Sequence, residues 1–289
     1  MKLSHRFRMK RHFLLLAALL VSLPLARSAE SESMPDRTLR QLVERQKDLL
    51  AEAAKAGANF DQGNFQLQLQ QVSQGYEALL RDNKDYAPGY AAYGYLLGKV
   101  GMKKESIAML LKANQLDPDQ ALVKNQIGNF LAEEGKPLDA LPYYMAAIKL
   151  EPKEPLYHYQ LAMLLHEARD DFIKAGEWKA EALDHASHEA FGKAAELAPD
   201  RLEFTYRYAE SFYDMTVPDW DGALKAWAAL EEKAESDVER QTMRLQAANV
   251  LIKQGKPDHA RVLLDTVVDP KLQAQKEKLV AQLTAKPEK

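Results

Sequence analysis

From Thr38 onward, apolar residues recur at helical spacing. Leu39, Leu42, Val43, Leu49, Leu50 and Ala53 form a stripe, with Arg40, Glu44, Arg45, Lys47 and Asp48 opposite. That is the period of a half-buried helix. Gly57 and Asp61-Gln62-Gly63-Asn64 interrupt it, and a second helical pattern runs from about 65 to 81, ahead of Asp82-Asn83. Beyond residue 87 a longer period appears. Leu116-Asp117-Pro118 and Leu150-Glu151-Pro152 lie 34 residues apart, and the same step carries Gly94 onto Gly128, Leu97 onto Leu131, Gly101 onto Gly135 and Ala113 onto Ala147. A fixed period of this kind marks a supersecondary unit that cannot bury its apolar face alone, so neighbouring units must stack.

The units can be bounded one by one. Residues 38–86 hold the N-terminal helix and a divergent repeat, in which Val72, Tyr76 and Leu79 fall 34 residues ahead of Ser106, Leu110 and Ala113. Residues 87–120 carry Tyr90, Tyr93-Gly94, Leu97, Ser106, Leu110, Ala113 and Pro118. Residues 121–154 carry Lys124, Ile127-Gly128, Leu131, Ala140, Tyr144, Ala147 and Pro152. Residues 155–201 begin with His158, Leu161-Ala162 and Leu165, then resume at Ser187, Phe191, Ala194 and Pro199, 47 residues past Pro152. This unit therefore holds a 13-residue excess within about 169–186, expected as lengthened helices or a protruding helical turn. Residues 202–240 (Tyr208-Ala209, Phe212, Ala223, Trp227, Leu230) and 241–270 (Ala247-Ala248, Leu251, Gly255, Ala260, Leu264, Val267) continue more loosely. Small residues at the paired positions let two helices approach closely, and glycine at the inter-helix turn permits left-handed backbone. In 271–289, Leu272, Leu279, Val280 and Leu283 among lysines and glutamines give a last helix with one wet face, the form of a solenoid cap.

This pattern resembles the tetratricopeptide repeat, a 34-residue helix–turn–helix, most closely over 87–152. Lys124, His158, Thr205 and Arg244 depart from it, standing where the motif prefers a large aromatic residue. The resemblance implies an all-α fold, a right-handed α-solenoid of about five to six stacked units. It also implies that the first helix of each pair faces an inner groove. Helical spacing then puts Ala91, Tyr95 and Lys99 on that face, followed by Asn125, Asn129 and Glu133, then Tyr159, Met163 and His166, then Tyr206, Glu210 and Tyr213, and last Leu245, Asn249 and Lys253. Of these, Tyr95, Lys99, Asn125, Asn129, Tyr159, Met163, Tyr206, Glu210, Tyr213 and Asn249 are the expected peptide-binding residues. Asn125 and Asn129 stand four apart, and each amide could match the donor and acceptor of a peptide unit. This is similar to the groove asparagines with which some tetratricopeptide proteins hold extended peptides. The basic clamp of chaperone-tail-binding relatives is not carried over, since Ala91 and Tyr95 occupy its Lys and Asn positions.

The chain's start adds a compartment. Lys2, Arg6, Arg8, Lys10 and Arg11 precede an apolar run, Phe13–Leu25, with no acidic residue between. Thirteen residues at about 1.5 Å each reach about 20 Å, short of the ~30 Å hydrocarbon slab, so a secretory signal over 1–28 fits better than an anchor. Ala26-Arg27-Ser28 places small residues for cleavage before Ala29, leaving 29–37 as a polar tether. The expected location is outside the cytoplasm, the periplasm if the source is Gram-negative. There is no cysteine, which excludes disulfides, a thiol nucleophile and a lipoprotein anchor. Without 1–28 the chain keeps 33 Lys and Arg against 42 Asp and Glu, a balance unsuited to nucleic-acid phosphates.

No glycine-rich phosphate loop and no nucleophile elbow is present. Glu181, His185, His188 and Glu189 could share a helix face, with His166 approaching, as zinc ligands do. They do not form the His-Glu-x-x-His arrangement, and a solvated polar face is the simpler reading. The sequence thus reads as a non-catalytic adaptor that needs no cofactor and binds a protein or peptide partner. One alternative is a homo-oligomer paired through the Leu39, Leu42, Leu49, Leu50 stripe; a remoter one is a metal-dependent enzyme using the inserted segment.

Overall fold

The computed structural model describes residues 33–57, 60–176 and 178–284. The expected signal and residues 29–32 of the tether lie outside them. Among the described residues every element is helical, and the chain divides into two units, Met1–Asp119 and Gln120–Lys289.

The first unit contains α1 (Met34–Ala56), α2 (Gln62–Asp82), α3 (Ala87–Lys99) and α4 (Lys103–Leu116). Helix α1 begins four residues before the expected start at Thr38. The Ser33 side chain accepts from the Asp36 amide at 3.3 Å, and Pro35 sits in the first turn, where a missing N–H costs nothing. Residues 34–37 are therefore helix rather than tether. Leu39 and Leu42 pack with Val72, Tyr76, Leu79, Tyr93, Leu96 and Leu97, and Leu49 is also buried. The Tyr76 ring stacks on Tyr93 with centroids 5.1 Å apart, and its hydroxyl donates to the buried Gln46 Oε1 at 2.7 Å. Leu39, Leu42 and Leu49 of the leucine stripe are thus covered by their own chain, while Leu50 stays partly exposed.

The second unit runs α5 (Ala121–Glu133), α6 (Pro137–Leu150), α7 (Pro155–Glu167), α8 (Arg169–Lys174), α9 (Ala180–Leu197) and α10 (Leu202–Ser211). A 3-10 turn at Phe212–Asp214 leads to α11 (Trp220–Lys233), α12 (Asp237–Lys253), α13 (Pro257–Asp265) and α14 (Gln273–Thr284). The pairs α3/α4, α5/α6, α7/α9, α10/α11 and α12/α13 are the stacked repeats.

The 34-residue step has a steric cause. A Cβ on Gly94 would lie 2.9 Å from Leu110 Cγ and 3.2 Å from its backbone nitrogen; one on Gly128 would lie 3.2 Å from the Tyr144 ring. A glycine at these positions lets the second helix come in close without displacing Leu110 or Tyr144. Gly101 and Gly135 end the first helices with φ of +83° and +71°, the left-handed turn that other residues resist.

The inserted segment takes both expected forms at once. It makes the short helix α8 and lengthens α9 to 18 residues, against 14 in α6. It is anchored: Phe172 and Leu183 are fully buried among Ala140, Tyr144, Leu164 and Leu165. Arg169 donates through Nε and Nη2 to the two oxygens of Asp184, at 2.5 and 2.9 Å. At the far end Leu279, Val280 and Leu283 of α14 cover Leu245, Ala248 and Leu264. No helix among the described residues is long and apolar enough to cross a membrane.

Candidate functional site

The first helices of the last three repeats carry a connected set of aromatic and polar side chains. Tyr159 and Met163 on α7 stand one turn apart, and Tyr206, Glu210 and Tyr213 repeat that spacing on and just after α10. The Tyr159 ring stacks on Phe204 at 4.6 Å, and its hydroxyl donates to Glu203 at 3.1 Å. Arg207 links the two helices. Its Nη1 donates to Glu210 at 2.7 Å, its Nη2 approaches Met163 Sδ at 3.7 Å, and its guanidinium lies 5.3 Å from the Phe191 ring centre. His166 Nδ1 lies 3.3 Å from Asp214 Oδ2. Tyr206 meets the buried Trp227 edge-on at 5.1 Å. Tyr213 reaches α12 by donating to the Gln246 carbonyl oxygen at 3.0 Å, beside the half-buried Asn249. Lys253 Nζ sits 5.7 Å from the Trp220 ring.

The electrostatics of this face are set by partial burial among carboxylates. Burial pushes the Tyr159 hydroxyl above the ordinary tyrosine range, and Glu203 and Glu167 push it further. Burial likewise raises Tyr206 and Tyr213, with Glu210 adding to both. Asp214 is raised chiefly by desolvation and also by Asp184; His166, Arg207 and Arg169 oppose the shift without cancelling it.

The expected groove residues divide three ways. Tyr159, Met163, Tyr206, Glu210, Tyr213 and Asn249 fall in the connected set. Tyr95 and Lys99 lie on α3 of the first unit, where Lys99 Nζ stands 5.2 Å from the Tyr95 ring. Asn125 and Asn129 are corrected. Asn125 is fully buried, and neither its oxygen nor its nitrogen has a hydrogen-bond partner. Asn129 Oδ1 accepts from the Tyr144 hydroxyl at 2.7 Å, bracing the helix pair. Asn125 is therefore closed to a ligand, and the oxygen of Asn129 is already engaged within its own helix pair. Leu245 is also core, under α14. Sequence reasoning missed Arg207 and Asp214; Arg207 adjoins Tyr206 and stands three residues before Glu210, a spacing that signals an ion pair.

The histidines considered for metal point to separate partners. His185 Nδ1 lies 3.3 Å from Glu189 and His166 faces Asp214. His188 Nδ1 lies 2.8 Å from Ser211 Oγ, whose proton goes to the Tyr208 carbonyl; the imidazole is therefore the donor in this pair. Burial holds His188 below its ordinary value. Among the described residues no three ligand-type side chains converge.

No curated protein matches the sequence. The family model described as tetratricopeptide repeat matches residues 87–120. Among solved structures, YrrB, titled a TPR protein with an unusual peptide-binding site, is 17% identical with a TM-score of 0.59, covering 72% of this chain and 99% of its own. Pseudomonas aeruginosa PilF is 14% identical at 0.57, covering 86% and 100%. The Naa15/Naa10 complex bound to HypK-THB is 15% identical at 0.57, covering 87% of this chain and 34% of that one. At such identities the likeness is one of fold. Residues 87–120 are a tetratricopeptide repeat, and the stacked helix pairs around them give this chain the fold of tetratricopeptide-repeat proteins.

Proposed function

We propose that the chain is an exported, non-catalytic adaptor that holds an extended segment of a partner protein on the shared face of α7, α10 and α12. The tetratricopeptide fold commonly serves protein–protein interaction, and YrrB, similar in fold, is described as having a peptide-binding site. The observation that carries the reading is the continuous run of Tyr159, Met163, Arg207, Tyr206 and Tyr213 across two repeats, joined to a third where Tyr213 meets Gln246. Tyrosine and arginine give large contact area with directed hydrogen bonds, the residue types that dominate binding energy at interfaces. Export rests on the basic start and apolar run of 1–28, and would place the adaptor in an envelope process, in the periplasm of a Gram-negative source.

A photo-crosslinking residue at Met163 tests the reading against one at Met145, which is 55% exposed on α6. In cells of the source organism, Met163 should trap a discrete envelope partner and Met145 should not. The same preparation should begin at Ala29. Equal trapping at both positions would refute the face; an intact Met1 would refute export.

A further inference from the structure

The partner's chemistry can be narrowed, on the reading that α7, α10 and α12 bind a peptide. Acidic residues are unevenly distributed. Residues 120–289 contain 22 Lys and Arg against 29 Asp and Glu, whereas residues 29–119, the first unit without the expected signal, are nearly balanced at 11 against 13. On the face itself the guanidiniums are already engaged: Arg207 by Glu210, and Arg169 by the buried Asp184. Asp214 is then left with His166 as its ion-pair neighbour, and Glu167, exposed at the end of α7, has none among the described residues. Both carboxylates act on the site. Glu167 raises the neighbouring Tyr159 hydroxyl, and Asp214, whose side chain is 51% exposed, keeps a raised pKa that its neighbours do not bring back down. An arriving cation would relieve this, and the tyrosine faces offer a cation further attraction.

A second observation is independent of charge. One donor on this face is buried without an acceptor: Arg207 Nε. Buried donors left unpaired are unfavourable, and because the Arg207 side chain is 27% exposed, a small shift of its guanidinium would let a ligand's carbonyl oxygen pair with it. A simple polyamine has cations but no acceptors, and nucleic acid has the wrong charge. A peptide with basic side chains has both cations and carbonyls.

We propose that this face recognises an extended peptide segment carrying Lys or Arg, its cations beside Asp214 and Glu167 and its backbone carbonyls toward Arg207.

The test uses the chain without residues 1–28 and three labelled twelve-residue peptides of Leu, Ser and Tyr interspersed with Lys, with Gln, or with Glu. Binding is read by fluorescence anisotropy. The Lys peptide should bind saturably and more tightly than the other two, and spermidine in equal charge should not displace it. Glu167→Gln with Asp214→Asn should weaken it about five- to ten-fold, while the remote pair Glu232→Gln with Asp258→Asn leaves it unchanged. If the Gln peptide binds equally and crosslinks to position 163, the cationic assignment falls while the peptide-binding face stands. Tightest binding by the Glu peptide, displacement by spermidine, or equal loss in both double variants would overturn the assignment. If none of the three binds, both it and the binding face are overturned.

Discussion

The Ser187 hydroxyl donates to the Ala162 carbonyl oxygen at 3.1 Å, as the Ser106 hydroxyl does to Gly94 at 2.7 Å. The first bond spans 25 residues and the second 12, so the 13 extra residues of the third repeat are looped out between two helices that then close in the ordinary way. What holds the detour is Arg169 on Asp184, whose side chain is only 5% exposed.

Arg169→Met should therefore strand a buried carboxylate. Removing one partner of a buried pair costs roughly 3–5 kcal/mol, and because Arg169 is itself 38% exposed, about 1–3 kcal/mol is expected. Adding Asp184→Leu should recover much of it, since the charge left unpaired is then gone. Urea unfolding of the two single variants and the double variant checks this. Additive losses would mean that the pair does not anchor the insertion.

Gly128→Leu places a side chain where the Tyr144 ring already sits 3.2 Å from the first added carbon. Overpacking a filled helix contact costs about 1–3 kcal/mol, so the thermal midpoint should fall by several degrees. An unchanged midpoint would show that α5 and α6 are not in this register.

Gly94 and Gly128 were legible because their positions are fixed by sterics within one hairpin, and hairpin sterics repeat every 34 residues. The turn glycines and the apolar repeat positions were readable for the same reason. The face was only half legible. Tyr159, Met163, Tyr206, Glu210, Tyr213 and Asn249 fall on it by helical spacing alone. Arg207 was legible only as the ion-pair partner of Glu210, because its link between helices depends on Met163 meeting it from 44 residues away. Asn125 misled for the converse reason. Spacing tells which way a side chain leaves its own helix, and its burial depends on what packs over it. The start of α1 was misplaced because Ser33 caps it ahead of the apolar stripe that signals the helix.

The two asparagines should now respond in opposite directions. Asn125→Ala removes a fully buried amide that lacks any partner and installs the best helix former, so stability should rise by roughly 1 kcal/mol despite the small gap left. Asn129→Ala strips the acceptor from the Tyr144 hydroxyl, itself on a residue only 4% exposed, and should cost about 1–2 kcal/mol. Chemical denaturation of the two variants side by side decides it. Two losses would mean that Asn125 has found a partner; two neutral outcomes would restore both to the ligand-facing role.

The last expectation concerns alkali. Tyr76, Tyr144 and Tyr157 are buried, and burial pushes each hydroxyl well above its ordinary value of 10.0. A group whose folded pKa is raised retains its proton in the native state, while the unfolded chain loses it near pH 10. The stabilisation is thus complete below that pH and is lost as pH climbs above it. Stability should hold up to about pH 10 and then fall, with the buried tyrosinate signal in the near-ultraviolet appearing together with the loss of helical circular dichroism. Tyr76→Phe removes one such group and should move the alkaline midpoint upward relative to its own stability at neutral pH. Tyrosines 76, 144 and 157 ionising in full while the helices remain intact would mean that these rings are not held in the repeat core.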